Sequence, residues 1–295
     1  MRARDGGGTG RALVLAAAVL WGTTGTAQAF APRGASPVAV GAARMAVGAA
    51  ILVAAAWTSG GAPVRALPRA ALAGAAGGMA AYQLFFFAAV ERTGVAVGTA
   101  VAIGSAPVAA GALAWAVRGE RPGPRWLAAT TLAIAGCAVL VTGGRAIEVD
   151  APGVALATGA GASYAAYAVA TKRLLETTRP LAAAAVTFGV AAVVLLPALI
   201  ASGAGWLASE RGALVALHLG AVATAAAYVL FGRGLTTTPV ATAATLSLAE
   251  PVTAAILGVA VLGERPTALA ATGVALVLGG LAVASLPARR GAVLR

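Results

Sequence analysis

Along this chain apolar residues do not alternate with polar ones. They come in runs of about twenty, the length an α-helix needs to cross a hydrocarbon core about 30 Å thick, separated by short breaks rich in Gly, Pro and Arg. Ten runs are predicted as helices, over approximately residues 12–30, 37–57, 70–90, 95–117, 125–142, 152–171, 181–201, 213–231, 240–262 and 267–286, with ends placed to within several residues. No connection is long enough for a soluble domain. The pattern therefore predicts an all-α integral membrane protein of ten transmembrane helices.

Composition agrees with this reading. With 60% hydrophobic and 10% charged residues and a mean hydropathy of +0.90, the chain cannot be sorted into a core and a wetted surface. The net charge of +12 does not mark a nucleic-acid binder, because the arginines sit singly at helix ends and form no basic stripe. They read as topology signals. With both termini in the cytoplasm, fifteen of the 21 Lys and Arg lie inside, and five (Arg33, Arg92, Arg145, Arg211, Arg265) lie outside. Arg44, within the second span, is the remaining one. The positive-inside rule thus favours an even span count and a multi-pass protein of the cytoplasmic membrane. The first span resembles a secretory signal with Ala27-Gln28-Ala29 as cleavage site, but nine further spans follow, so it is expected to stay attached.

The chain also repeats itself. GERP stands at Gly119–Pro122 and again at Gly263–Pro266, and Pro107 and Pro251 share the same 144-residue offset. AYQLF at Ala81 recurs as AYVLF at Ala227, and LAAT at Leu127 recurs at Leu269. Four matches in one order argue for two five-helix halves, residues 11–145 and 151–288, between cytoplasmic tails 1–10 and 289–295. Five is odd, so the second half enters the membrane from the other side and the repeats are inverted. Two similar halves that pack in two nearly equivalent ways can open a central site to either face, which is alternating access.

Trp21-Gly22 in the first span, Arg44 in the second, GERP after the fourth and ninth, and LAEPV at Leu248–Val252 together resemble the EamA family of the drug/metabolite transporter superfamily. The resemblance spans essentially the whole chain. It implies an inner-membrane efflux carrier of small molecules, such as metabolites or amino acids, with a cavity lined mainly by spans 1, 3, 4, 6, 8 and 9.

Within the ninth span, Glu250 lies about 16 Å along the helix from Val240, near the bilayer midplane. A lone carboxylate facing lipid there costs roughly 2.5–3.5 kcal/mol, so Glu250 should face protein or a wet cavity, where it is a candidate substrate or proton ligand. Arg44 is the other deep charge, and an ion pair locking span 2 to span 9 is the competing structural reading. Pro251 and Pro107 cannot donate an N–H, so each is expected to free a carbonyl, of Ser247 and Ile103 respectively, and to kink its helix beside the site.

Weaker candidates are Gln83, Tyr82 and its repeat partner Tyr228, and a polar-aromatic set of Trp21, Thr23, Thr24 and Gln28 facing Ser163, Tyr164 and Tyr167. Each has a plain packing reading, with hydroxyls bonded to neighbouring helices or to their own helix. His218, the single histidine, is expected to be a neutral group bonded within the bundle. Gly74 and Gly78 have the spacing that lets helices approach closely. Cys137, the single cysteine, cannot form an internal disulfide and is expected to pack.

The inventory speaks against an enzyme. The only aspartates, Asp5 and Asp150, lie outside the spans, there is no G-x-S-x-G nucleophile elbow, and no P-loop lysine motif occurs. No cofactor or metal is expected. The expected partners are a small-molecule substrate, protons and the lipid bilayer, for a monomer or a homodimer, and not nucleic acid. The rival readings are a non-transporting membrane subunit or receptor, and a flippase for lipid-linked intermediates.

Overall fold

The computed structural model describes residues 6–61, 67–143 and 150–286. Within them ten helices follow one another: α1 (Gly6–Ala29), α2 (Pro37–Thr58), α3 (Arg69–Gly94), α4 (Val97–Arg118), α5 (Pro124–Thr142), α6 (Ala151–Leu174), α7 (Pro180–Ser202), α8 (Glu210–Thr237), α9 (Val240–Leu262) and α10 (Ala268–Ser285). No strand occurs among the described residues. Nine of the ten are apolar and long enough to cross a membrane. α6 has the length, 24 residues, but it carries Thr158, Ser163, Tyr164, Tyr167, Thr171 and Lys172, which lower its hydropathy and fit a helix surrounded by protein.

Local sequence sets the helix ends. Ser36, Asp150, Ser209 and Thr267 cap α2, α6, α8 and α10 by accepting a hydrogen bond from a backbone N–H in the first turn. Asp150 also pairs with Arg92 at 2.8 Å. That bond, and then the N–H of Gly153, hold its carboxyl below the usual range. Between α3 and α4 the chain reverses at Gly94 alone, at φ 77°, a conformation that an L side chain rarely adopts.

Hydrogen bonds sort the helix ends onto two faces. Arg11 of α1 donates to the carbonyls of Ser285 and Leu286 at the end of α10, so these two ends lie together on what is here termed the terminal face. On the same face Arg125 donates to Val283, Arg118 pairs with Glu120 and Glu176, Lys172 reaches the α8–α9 link, and Arg179 donates to Ser59. The Arg92–Asp150 pair lies on the opposite face, with the α3–α4 reversal and the start of α6. Of the basic residues read as topology signals, Arg2, Arg4, Arg65, Arg145, Arg289, Arg290 and Arg295 lie outside the described residues.

Small residues bring the helices together. A Cβ at Gly78 would meet Ser163 O and Tyr167 N of α6, each at 2.8 Å, and one at Gly74 would meet Ala170 at 3.2 Å. α5 and α10 pack just as closely through Gly136, Gly273 and Gly280. Cys137 is fully buried beside this seam and belongs to the main apolar cluster. Because overpacking costs about 1–3 kcal/mol, Gly78→Ala should lower the melting temperature in detergent by several degrees. Gly77→Ala, whose added methyl meets nothing within 4 Å, should leave it unchanged, and equal effects of the two would refute this account of the α3–α6 contact.

Candidate functional site

Seven helices surround a central cavity of about 560 Å³, open mouth included: α1 with Trp21 and Thr24, α2 with Arg44, α3 with Tyr82, α4 with Ala102, Ile103 and Ala106, α6 with Tyr164, α8 with Tyr228, and α9 with Ala244, Ser247 and Glu250. This is the set that the family resemblance implies, with α2 added through Arg44.

Repeat partners meet across the cavity. Trp21 and Tyr164 are 143 positions apart, Tyr82 and Tyr228 are 146 apart, and Ile103 with Ser247 and Ala106 with Glu250 are each 144 apart. A site on a pseudo-two-fold axis is built from such pairs. The pairing then breaks unevenly: Ala244, near the terminal-face start of α9, lines the cavity without its equivalent Ala100, and three residues do so towards the opposite face. Thr24, Arg44 and Ala102 line the cavity, whereas their equivalents Tyr167, Thr187 and Leu246 do not. These three lie five to seven residues from helix ends on the opposite face, so the cavity extends that way. Towards the terminal face its floor is aromatic: Tyr167 stacks on Phe231 with centroids 6.2 Å apart, and Phe188 lies 4.4 Å from Tyr228.

The sequence motifs acquire physical roles here. The Trp21 ring packs 4.9 Å from Tyr228 and edge-on to Tyr164 at 6.3 Å. A Cβ on Gly22 would meet the Glu250 carbonyl at 2.7 Å and Thr253 at 2.5 Å, so Trp-Gly at once walls the cavity and lets α1 lie directly on α9. Arg44 donates through Nε to Thr224 Oγ1 at 3.3 Å. Thr224 sits in a π-helical turn of α8, Ala221–Ala226, and donates to the carbonyl of Leu219 five residues back. The wide turn thus presents a hydroxyl to Arg44, and π-turns are frequent at functional sites.

Glu250 and Arg44 line the same cavity but are not an ion pair. Among the described residues the pairs within 4.0 Å are Arg92–Asp150, Arg118–Glu120 and Arg118–Glu176. The structural lock between spans 2 and 9 is therefore absent, because Arg44 is turned to Thr224. The Ser247 carbonyl, expected to be freed by Pro251, instead accepts from the N–H of Glu250 at 3.0 Å. α9 breaks at Ser247 and Leu248, between helical stretches Val240–Leu246 and Ala249–Leu262. α4 keeps helical geometry through Pro107, so the two repeat prolines act differently.

Of the other candidates, Gln83 and Tyr167 are buried outside the lining. Ser163 bonds back to Gly159, and Thr23 bonds to Leu20 and, at 2.9 Å, to His218. Ser247 is marked by the sequence for its carbonyl and not for its hydroxyl. It accepts from or donates to the Tyr164 hydroxyl at 3.3 Å, and its position three residues before Glu250 on one helical face was the available signal. Trp21 Nε1 and Thr24 Oγ1 are buried without a hydrogen-bond partner in the protein. Such groups are rare, and two beside one cavity equip it to bind a polar ligand.

Comparison with known proteins gives a consistent picture. The sequence model of the EamA-like transporter family matches residues 8–142 and again residues 151–286. The chain is 46% identical to the uncharacterized transporter YwfM of Bacillus subtilis over 94% of each chain. It is 35% identical to a probable terminal-alkyne amino-acid exporter of Streptantibioticus cattleyicolor, over 74% of this chain and 72% of that one. A solved crystal structure superposes with a TM-score of 0.81 at 25% identity, covering 93% of this chain and 96% of that one.

The lopsided lining yields a labelling prediction. With Cys137 buried, a membrane-impermeant thiol reagent applied from the opposite face should modify Thr24→Cys at least about tenfold faster than Thr187→Cys, at the repeat equivalent of Arg44. Equal rates would contradict a cavity that extends towards that face.

Proposed function

The chain belongs to the EamA-like transporter family, and on that premise we propose that it is a secondary active exporter of small amphiphilic zwitterions of the amino-acid type. It is a multi-pass membrane protein of a small-molecule transporter family; the substrate class, direction, coupling and mechanism are the proposal. One observation carries it: a guanidinium and a carboxyl that form no ion pair line a single aromatic-walled cavity. Each charge is left for a ligand. A substrate carboxylate matches Arg44, already aimed by Thr224, a substrate ammonium matches Glu250, and an apolar side chain matches Trp21, Tyr82, Tyr164 and Tyr228.

Coupling follows from the same carboxyl. Glu250 binds either the substrate ammonium or a proton, so the two compete, and release of substrate outside is followed by return with a proton. The excess of Lys and Arg supports a cytoplasmic terminal face. The cavity then opens outward, and the aromatic floor under Tyr167 and Phe231 closes the cytoplasmic side. Alternating access is the exchange of this arrangement for its repeat-related counterpart. No step in the cycle makes or breaks a covalent bond of the substrate, so the reading is not enzymatic. The similarity to the probable terminal-alkyne amino-acid exporter of Streptantibioticus cattleyicolor supports the direction and the class.

The test is transport in proteoliposomes under an imposed pH gradient, with apolar amino acids, nucleobases and amphiphilic drugs as the panel. Wild type should carry the amino acids with proton movement. Glu250→Gln should lose gradient-driven flux and keep downhill exchange. Arg44→Gln should weaken apparent affinity about 10- to 100-fold, the loss of a charged hydrogen bond. Silence of folded protein towards all zwitterions, with activity on lipid-linked substrates or a stable protein partner instead, would overturn the proposal.

A further inference from the structure

The two GERP segments fold alike but their glutamates do different things. Gly119 and Gly263 end α4 and α9 in the same left-handed conformation, φ 68° and 70°. The next amide closes the same ring in both, from Glu120 to Ala114 and from Glu264 to Gly258. Only the side chains differ. Glu120 leaves its own helix, accepts from Arg118 at 2.8 Å and, through its other oxygen, from the N–H of Val240, which opens α9 of the other repeat, at 3.1 Å. Lys172 binds the same link from the other side, donating to the carbonyls of Leu235 and Thr238 at 2.7 Å each. Glu264 is exposed, its carboxyl makes no hydrogen bond among the described residues, and it lies folded back against Gly258 of α9, where an added Cβ would collide with the carboxyl.

The inverted repeat says where each glutamate belongs. By the 144-residue offset the partner of Val240 is residue 96, directly before α4 on the opposite face. The seat that holds Glu264 in its stowed position exists because residue 258 is glycine; its equivalent, Ala114, carries the methyl that would exclude Glu120 from the same position. We propose that Glu120 and Glu264 are reciprocal latches of the transport cycle. Glu120 caps α9 and holds the terminal face shut while the cavity opens to the opposite face, and Glu264 leaves Gly258 to cap α4 when the cavity opens the other way. The latches rest on the alternating-access reading above.

Each latch stabilises one end state, so removing it shifts a two-state equilibrium. Ser247→Cys, at the centre of the cavity, reports that equilibrium through its reaction with an impermeant thiol reagent applied to each face of oriented vesicles. Glu120→Ala should raise the terminal-face rate, and lower the opposite-face rate, by about tenfold. Gly258→Ala, which evicts Glu264 and leaves the Glu120 latch intact, should move the ratio in the same direction, and Glu120→Ala with Glu264→Ala should return it towards wild type. Labelling from both faces whose ratio none of these variants changes would overturn the latches and spare alternating access. Labelling from one face alone in wild type and in every variant, with substrate present, would overturn alternating access itself.

Discussion

Hydrocarbon offers no hydrogen bonds, so every polar group that enters the membrane has to be answered from within the protein. Ten helices settle this for the backbone almost everywhere. Two exceptions are informative because they lie beside the cavity. α8 widens into a π-turn where Thr224 must serve both Leu219 and Arg44. α9 breaks at Ser247 and Leu248, where the Ser247 hydroxyl meets Tyr164 and its carbonyl takes the Glu250 amide. At both points side chains or cavity space satisfy the irregular backbone.

Close helix contact is the second condition, and it links the fold to the site. Gly22 lets α1 rest on the carbonyl of Glu250, and Gly48 lets α2 rest on α8 against Thr224. Glu250 is thus fixed by a glycine on a neighbouring helix, and Arg44 by a glycine one turn along its own. Neither charge could stand where it does if these contacts were a methyl group wider.

The fold was legible in the sequence because its signals are long and redundant. Ten apolar runs, the arginine bias and the doubled GERP each point to the same architecture, and the predicted helix ends differ from the observed ones by at most six residues. Much of the cavity was legible for a related reason. Glu250, Arg44 and the tyrosines are scarce polar groups in an apolar chain, and scarcity marks them. What the sequence could not convey is direction. That Arg44 turns to Thr224 and not to Glu250, or that Tyr167 faces the aromatic floor while its neighbour Tyr164 faces the cavity, depends on rotamers and helix rotation, which a list of residues does not encode. The consequence of Pro251 was misjudged because a proline removes one hydrogen bond without deciding which amide then takes the spare carbonyl.

The matching glycine caps of α4 and α9 carry a wider meaning. Where duplicated scaffolds share one backbone conformation, as at these two caps, the backbone gives neither orientation an advantage there. Sidedness is then written in a few substitutions laid over that scaffold, such as alanine against glycine at 114 and 258, or alanine against glutamate at 106 and 250. A lineage that inherits such a frame can reverse or retune its preferred resting state by changing single residues, without having to invent a new fold.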